Sequence, residues 1–351
     1  MKVNESPNGL SSNTDFLIAP VATWEIDIWK KLRNAKNAAV ARYLASVEGR
    51  NFMVTQLIAE IAESYYELMA LDNMLDIIDK NIAIQDNALR VVQMQKDAAR
   101  LTQLAVNRFS AQVLNTRNLR YAVLQQLIQT ENHINFLTGR FPQPVKRDAS
   151  LFLTLQVDSA HAGIPAHLLL NRPDIRRAEQ ELIAARLDVK SARARFYPSV
   201  GISAAVGLNA FDASYLLQPQ SLMYQFSGDL VAPLINRYAI RAAYNTAGAR
   251  QLQAIYQYEQ TILQSYTDVL NQLVKLDNLS ESFSMKNQEV QMLSQSVTIA
   301  GNLFNAARAD YGEVLFTQRE ALEAKMDLIE IRLKQLHAHV NIYRALGGGL
   351  R

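Results

Sequence analysis

The chain has 351 residues, of which 49% are apolar and 20% charged, with a net charge of +3. That composition excludes a disordered chain, and the weak positive balance points to no nucleic-acid or acidic partner. There is no cysteine, so neither a disulfide framework nor a thiolate metal site is available.

The first residues, Met1 to Asn13, are polar and contain no apolar signal-peptide region. No window approaches the ~18 consecutive apolar residues of a transmembrane helix. Two options remain: a soluble protein, or one that crosses a membrane by strands.

Structure begins near Phe16. Phe16 and Ile18, then Trp24, Ile26 and Ile28 alternating with Glu25 and Asp27, predict one strand that runs into a helix. Trp24 and Trp29 stand at the junction, which suits interfacial aromatics; plain packing accounts for them equally well. From Arg33 to about Asp97 the only breaker is Gly49, which predicts a helix about 100 Å long at ~1.5 Å per residue. A turn at Ala98–Thr102 sends the chain back through a helix from Gln103 to Thr138, which Gly139 and Pro142 end. The segment from Arg140 to Ala166, with Pro142, Pro144 and Pro165, reads as a linker over the outside of the helices. Its cluster Arg140, Lys146 and Arg147 reads as a solvated face.

A further helix is expected from Asp174, or from as early as Ile164, to Arg195. Asp174 reads as its cap, with Pro173 just before the first turn. Two strands follow, Ser199–Asn209 and Leu222–Leu234, and Pro198 precedes the first, where its missing N–H costs least. Val200, Ile202, Ala204, Val206 and Leu208 share one face, and Gly201, Ser203, Ala205, Gly207 and Asn209 the other. In the partner, Leu222, Tyr224, Phe226 and Leu230 alternate with Gln225, Ser227 and Asp229. Each segment has roughly the ten residues of a tilted transmembrane strand. The same alternation fits a hairpin laid on a soluble core, and both readings stay open at this point. A second long helix starts near Tyr238 and runs to about Asn305. After a turn the chain returns to Leu346, and Gly347-Gly348-Gly349 stops it.

An offset of 208 residues aligns the chain with itself without a gap. Arg33, Asn37, Ala41, Arg42 and Leu44 fall on Arg241, Asn245, Ala249, Arg250 and Leu252. Ala98-Ala99-Arg100 falls on Ala306-Ala307-Arg308, Val106 on Val314, Ile134 on Ile342 and Gly139 on Gly347. A period this long marks a duplicated structural unit rather than a solenoid. An apolar seam with three-four spacing recurs in both copies: Leu44, Val47, Val54, Ile58, Ile61, Tyr65 and Leu68, then Leu252, Ile255, Ile262, Tyr266, Val269, Leu273 and Leu276. The expected organisation is a first repeat over 14–139, a linker over 140–165 and a second repeat over 166–347.

The motifs resemble those of a known family. Leu170-x-Arg172-Pro173-Asp174-Ile175-x-x-Ala178-Glu179, followed by Ala192-x-Ala194-x-Phe196-Tyr197-Pro198, is similar to the central signature of outer-membrane efflux proteins of the TolC/OprM/NodT type. Trp24-Glu25-Ile26-Asp27-Ile28-Trp29, Ala232-Pro233-Leu234-Ile235 and Tyr343-Arg344-Ala345-Leu346-Gly347-Gly348-Gly349 extend the match over almost the whole chain. The resemblance implies a mainly α fold with a small transmembrane β part. Long antiparallel coiled-coil helices would form an α-barrel tunnel in the periplasm, and the strands would join a trimeric β-barrel in the outer membrane. It further implies an exit duct of a tripartite efflux or type I secretion system, working as a homotrimer with a periplasmic adaptor (membrane fusion) protein, an inner-membrane transporter and outer-membrane lipid. By the same resemblance Arg172, Pro173, Asp174, Phe196, Tyr197 and Pro198 are structural. Arg100, Thr102, Arg308, Asp310, Tyr311 and Gly312 lie at the periplasmic gate, where the adaptor docks. Three symmetry-related Asp310 carboxylates would favour cations at the entrance. Against the family pattern the chain shows three strands where four are expected, as an N-terminally truncated member would.

Chemistry finds no support. The histidines are His133, His161, His167, His337 and His339, and His337 and His339 point to different helix faces. There is no His-Glu-x-x-His, P-loop or Gly-x-Ser-x-Gly, so neither enzyme activity nor a cofactor or metal is expected. The alternative from another class is a soluble coiled-coil scaffold without pore activity.

Overall fold

A computed structural model describes residues 15–155, 171–233, 235, 237–306 and 308–348. The elements in chain order are β1 (Phe16–Ile18), β2 (Val21–Ile26), α1 (Lys31–Asp97), α2 (Gln103–Leu137), α3 (Pro173–Ala194), β3 (Ser199–Ala210), β4 (Leu222–Val231), α4 (Arg237–Asn305) and α5 (Tyr311–Ala345). Single 3-10 turns lie at Ala149–Leu151, Ala213–Tyr215 and Pro219–Ser221. No described helix is long and apolar enough to cross a membrane. The Ile164 start suggested for the third helix lies outside the described residues.

The described chain divides into two compact units, one drawn from Met1–Ser46 and Ala178–Tyr258, the other from Val47–Arg177 and Glu259–Arg351. In the first unit β3 is the central strand. β4 pairs with it antiparallel from Leu208↔Leu222 to Ser199↔Val231. β1 and β2 both pair with the other edge of β3 in one register, Phe16↔Ala210 through Ile26↔Val200. They are a single strand interrupted at Ala19-Pro20, because proline has no N–H to give the ladder. The Pro20 carbonyl still accepts from Val206 N at 3.4 Å. Gly207 sits opposite this break, and a Cβ there would overlap the Ile18 carbonyl and Ala19. The expected strand extension to Ile28 is corrected: β2 ends at Ile26. Asp27 turns away from the ladder and accepts the Leu32 and Arg33 amides, at 3.0 and 2.8 Å, as α1 begins. Burial pushes the Asp27 carboxyl up, but these two amides and the Arg33 guanidinium outweigh it and hold it below its ordinary value.

Small residues close the helices of this unit together. Ala38 and Ala41 of α1 pack against Ala184 of α3, flanked by Ile183 and Leu187. Ser191 Oγ donates to the Lys31 carbonyl at 3.0 Å, and Arg42 pairs with Asp188. Leu44, expected in the apolar seam, is exposed, and the core contact falls instead on the alanines.

The second unit carries both helical hairpins. Under the offset that aligns the two repeats, α2 coincides with α5 at both ends, and the end of α1 coincides with the end of α4. The turns match in detail. Ala98 N donates to Met94 O and Arg100 N to Gln95 O; at the equivalent positions Ala306 N donates to Asn302 O and Arg308 N to Leu303 O. The helix ends match as well: Gly139, at φ +68°, and Gly347, at φ +99°, close α2 and α5. Arg140 N reaches Asn135 O at 2.8 Å, and Gly348 N reaches Tyr343 O at 3.1 Å. The duplication is therefore structural.

Four apolar clusters hold this unit. Val92, Ala105, Phe109 and Val314 join both hairpins beside their turns. Leu71, Ile78 and Val123 form the next cluster, touching Met326. Leu276, Ala338 and Ile342 hold α4 to α5. In the fourth cluster Met69, Ala70, Ile329 and Leu336 surround Phe152, which is fully buried. The described part of the linker is mostly exposed, with Phe152 as its one buried anchor among the helices. Arg147 corrects the reading of a solvated basic face. It binds Asp72, with Nη2 to Oδ1 at 3.0 Å, and its Nη1 donates to Glu131 at 2.6 Å. The Asp72 carboxylate, helped by Glu131, outweighs burial and raises the Arg147 pKa. Arg332, buried on α5, holds the carbonyls of Phe152 and Leu155 and lies over the Phe283 ring at 5.4 Å. Burial lowers its pKa.

Candidate functional site

The residues singled out in the sequence gather mainly in two places, one in each unit. In the first it is the sheet. Its register sets Glu25, Gly201 and Asp229 in one row across the three strands, and Thr23, Ser203 and Ser227 in the next. The Ser203 and Ser227 hydroxyls are 2.7 Å apart. The opposite face presents Ile26, Val200 and Leu230, then Trp24 and Ile202, then Ala22, Ala204 and Phe226. Ile18, Trp24, Val206, Tyr224, Phe226 and Leu230 are exposed. A sheet with small polar residues on one side and a bare apolar band on the other suits a barrel wall between water and lipid.

The strand–helix junction is built from the signature residues. Tyr197 stacks on Trp29, with centroids 4.6 Å apart and planes 22° apart. The Trp29 indole donates to the Pro198 carbonyl at 2.9 Å. Phe196 meets Tyr244 edge-on at 5.9 Å. These contacts fix where β3 leaves α3.

The second place is the pair of hairpin turns. Arg100 and Arg308 are exposed at equivalent positions. Thr102 and Asp310 are likewise equivalent and precede α2 and α5 in extended backbone. Thr102 makes no side-chain cap, whereas Asp310 Oδ1 accepts from Tyr311 N at 2.7 Å. The Tyr311 ring lies beneath the Arg108 guanidinium at 6.0 Å. A Cβ at Gly312 would stand 3.4 Å from Asp310 Oδ2, so the glycine leaves that carboxylate room. Beside it, Arg108, Gln112, Gly312, Leu315, Phe316 and Arg319 line a cleft of about 290 Å³. Arg319 lies over Phe316 at 5.6 Å. Arg108, Phe316 and Arg319 are absent from the sequence-based set. They stand a turn or two along their helices from the hairpin turns, and only the packing of the two hairpins brings them to Tyr311 and Gly312.

Arg172, Pro173 and Asp174 lie elsewhere in this unit. Pro173 is the first residue of α3. Arg172 grips Asp174 through Nε at 3.0 Å and Nη2 at 2.7 Å, and its Nη1 donates to the Ala345 carbonyl at 2.8 Å. Asp174 also accepts from Ile175 N at 2.9 Å. A polar cavity of about 370 Å³ adjoins this clamp, bordered by Gln56, Asp268 and Arg344. Among the described residues no group of three histidines or carboxylates could hold a metal ion.

A family model described as outer membrane efflux protein matches residues 4–140 and 164–348. The chain belongs to the outer membrane efflux protein family. It is 25% identical over 346 residues to the solvent efflux pump outer membrane protein SrpC of Pseudomonas putida, covering 98% of this chain and 73% of that one. It is 29% identical over 328 residues to the pyoverdine export outer membrane protein OpmQ of Pseudomonas aeruginosa, covering 93% and 69%. The crystal structure of CusC superposes with a TM-score of 0.88 at 25% identity, over 95% of this chain and 78% of that one. That of VceC from Vibrio cholerae gives 0.84 at 20% identity, over 97% and 88%, a likeness of fold. This member of the family is an outer-membrane exit duct for efflux, with its strands in the membrane and its long helices in the periplasm.

Proposed function

We propose that the chain works as a homotrimeric passive conduit, coupled through a periplasmic adaptor protein to an inner-membrane transporter that supplies the energy. The sheet carries this reading: one face is apolar and exposed, the other polar, and both outer edges, β1/β2 and β4, are unpaired among the described residues. Edge strands left open in this way call for further strands, and neighbouring copies supply them when the barrel closes. The repeats divide the labour: 14–139 and 166–347 each give membrane strand and tunnel helices, and 140–165 ties them together at the level of Phe152. Arg100, Thr102, Arg308, Asp310, Tyr311 and Gly312 form the periplasmic gate and the adaptor's docking surface, joined there by Arg108 and Arg319. The duct does no chemistry itself, and the relatives named for solvent and pyoverdine export support a role in moving solutes outward.

Detergent-purified protein should have the mass of a trimer and conduct ions when inserted into planar bilayers. Protein that stays water-soluble and monomeric without detergent, and leaves bilayers silent, would refute the duct and favour a coiled-coil scaffold.

A further inference from the structure

The polar cavity beside the Arg172 clamp lies where three helices of the second unit meet. α5 runs between α1 and α4 at this level. His337 and Arg344 reach α1 at the Glu63 carbonyl and Gln56 Oε1, each at 3.1 Å. Ala338 and Ile342 pack on Leu276 of α4. Gln264, Asp268 and Gln272 follow one another at single-turn spacing along the α4 wall of the cavity, and Phe52 and Gln56 line it from α1. Its volume of about 370 Å³ falls within the roughly 300–1,000 Å³ of ligand pockets.

Two of the lining side chains hold acceptors without donors. Gln272 Oε1 and Asn341 Oδ1 are shielded from solvent and have no hydrogen-bond partner among the described residues. The Asn341 amide cannot turn round to remedy this, because its Nδ2 already donates to Glu63 Oε1 at 2.6 Å and to the His337 carbonyl at 2.8 Å. The two oxygens belong to one level of the cavity. α4 and α5 run antiparallel, with Gln335 bonded to the Leu279 carbonyl and Leu276 packed on Ala338 and Ile342. Gln272, one turn from Leu276, therefore comes level with Ile342 and with Asn341 beside it. Shielded acceptors in native proteins are almost always paired, so this end of the cavity calls for a ligand rich in N–H groups.

The charges of the cavity call for a ligand with two signs. Arg172 and Asp174 satisfy one another through two hydrogen bonds, which leaves one cation, Arg344, and one anion, Asp268. Arg344 spends only Nη1, on Gln56, and a guanidinium has further N–H groups to give. Asp268 Oδ1 accepts from Gln264 at 2.7 Å, and its Oδ2 stands 3.8 Å from Arg172, beyond hydrogen-bond reach. Asp268 lies one turn from Gln272 on the α4 wall, and Arg344 one turn from Asn341 on the α1 side. A simple anion here would meet Asp268, and a simple cation would meet Arg344. A molecule that carries both charges a few ångströms apart avoids both repulsions.

We propose that this cavity binds a small zwitterion of the α-amino-acid type. Its ammonium group donates to Gln272 Oε1 and Asn341 Oδ1 and is balanced by Asp268. Its carboxylate accepts from Arg344, and its side chain lies against Phe52 and Pro173. The bound molecule joins α4 to α5 and α1 and so stabilises the junction that the Arg172 clamp already holds. The site stands apart from the conduit, and neither reading depends on the other.

The test is calorimetric titration of the full chain in detergent with glycine, L-leucine and L-phenylalanine. The tightest binder is then compared with its amide, which lacks the carboxylate, and with its deaminated acid, which lacks the ammonium group. At least one amino acid should bind saturably and raise the thermal midpoint, and each single-charge analogue should bind about tenfold more weakly or worse, the loss of one charged hydrogen bond. Arg344→Gln should erase the preference for the amino acid over its amide, and Asp268→Asn the preference over the deaminated acid. The analogue comparison needs no variant, so it decides the matter even where a substitution disturbs folding. No saturable binding of any of the three at millimolar concentration means a cavity filled by water alone and overturns the proposal. Analogues that bind as tightly as the amino acid, or folded variants that keep both preferences, overturn it as well.

Discussion

Arg172 holds Asp174 through two hydrogen bonds and the carbonyl of Ala345 through a third, which ties the start of α3 to the end of α5. The arginine is buried, and Gly347, just past α5, lies against the Asn171 carbonyl. Removing the guanidinium leaves the partly shielded Asp174 carboxylate with only the Ile175 amide and takes the side-chain donor from the Ala345 carbonyl, at a cost of about 3 kcal/mol. Arg172→Ala should lower the thermal midpoint of the detergent-solubilised protein by that measure. Arg172→Lys should recover only part, because an ammonium cannot supply the planar fork. A lysine variant as stable as the parent would show that charge alone, not the fork, matters here.

Asp27 gives a pH dependence confined to one helix end. Its carboxylate caps the start of α1 and is held below the ordinary value against the pull of burial, so the folded state binds its proton less tightly than the unfolded chain. Stability from this cap is therefore complete above the usual carboxylate range near ~4 and is lost as the pH falls through the lower folded value. Hydrogen exchange at the Leu32 and Arg33 amides should speed up in that acid window, and Asp27→Asn should flatten the response. Unchanged exchange at both amides in acid would remove Asp27 as the cap.

Much of this fold is legible in the sequence because long helices announce themselves by what they lack. Between Arg33 and Asp97 only Gly49 interrupts, and the second repeat reproduces the turn at Ala98 and the stop at Gly139. What stays hidden is decided by partners distant in sequence. Arg147 looks like a solvated cation until Asp72 and Glu131 are brought to it. Ile28 continues the alternation of Trp24 and Ile26, but Asp27 finds better acceptor work at the Leu32 and Arg33 amides, and the strand ends. Arg108 and Arg319 join the hairpin-turn cluster only because α2 and α5 pack side by side, a contact no single-helix pattern records.

Gly207 offers a test of the sheet. A Cβ there would overlap Ile18 and Ala19, where the first strand is already broken by Pro20. Gly207→Ala must push that strand off β3 or strain it, a penalty of about 1–3 kcal/mol typical of overpacking. The expected result is less heat-modifiable, membrane-inserted protein, with the helical circular dichroism retained. Gly228→Ala, whose Cβ would meet only the Gly201 carbonyl at 3.8 Å, is the tolerated control. Equal insertion of both variants would mean that β1 does not press on β3 in the membrane.

Asp310 combines two roles that substitution can separate. Its side chain accepts the Tyr311 amide at 2.7 Å and its carbonyl accepts the Glu313 amide at 3.2 Å, so it caps α5. Its carboxylate is also exposed at the hairpin turn, where three copies in a trimer would add negative charge to the tunnel entrance. Asp310→Ala removes cap and charge together and should cost about 1 kcal/mol of helix stability. Asp310→Ser keeps a capping oxygen and removes only the charge, so α5 should stay as stable as in the parent. The reversal potential of single channels under a salt gradient reads the second role. Asp310→Ser should move it toward anions, as Asp310→Ala does, and Asp310→Glu should leave it near the parent value. If the serine variant keeps the parent's ion preference, the carboxylate does not face the conduction path, and Asp310 is a helix cap and nothing more.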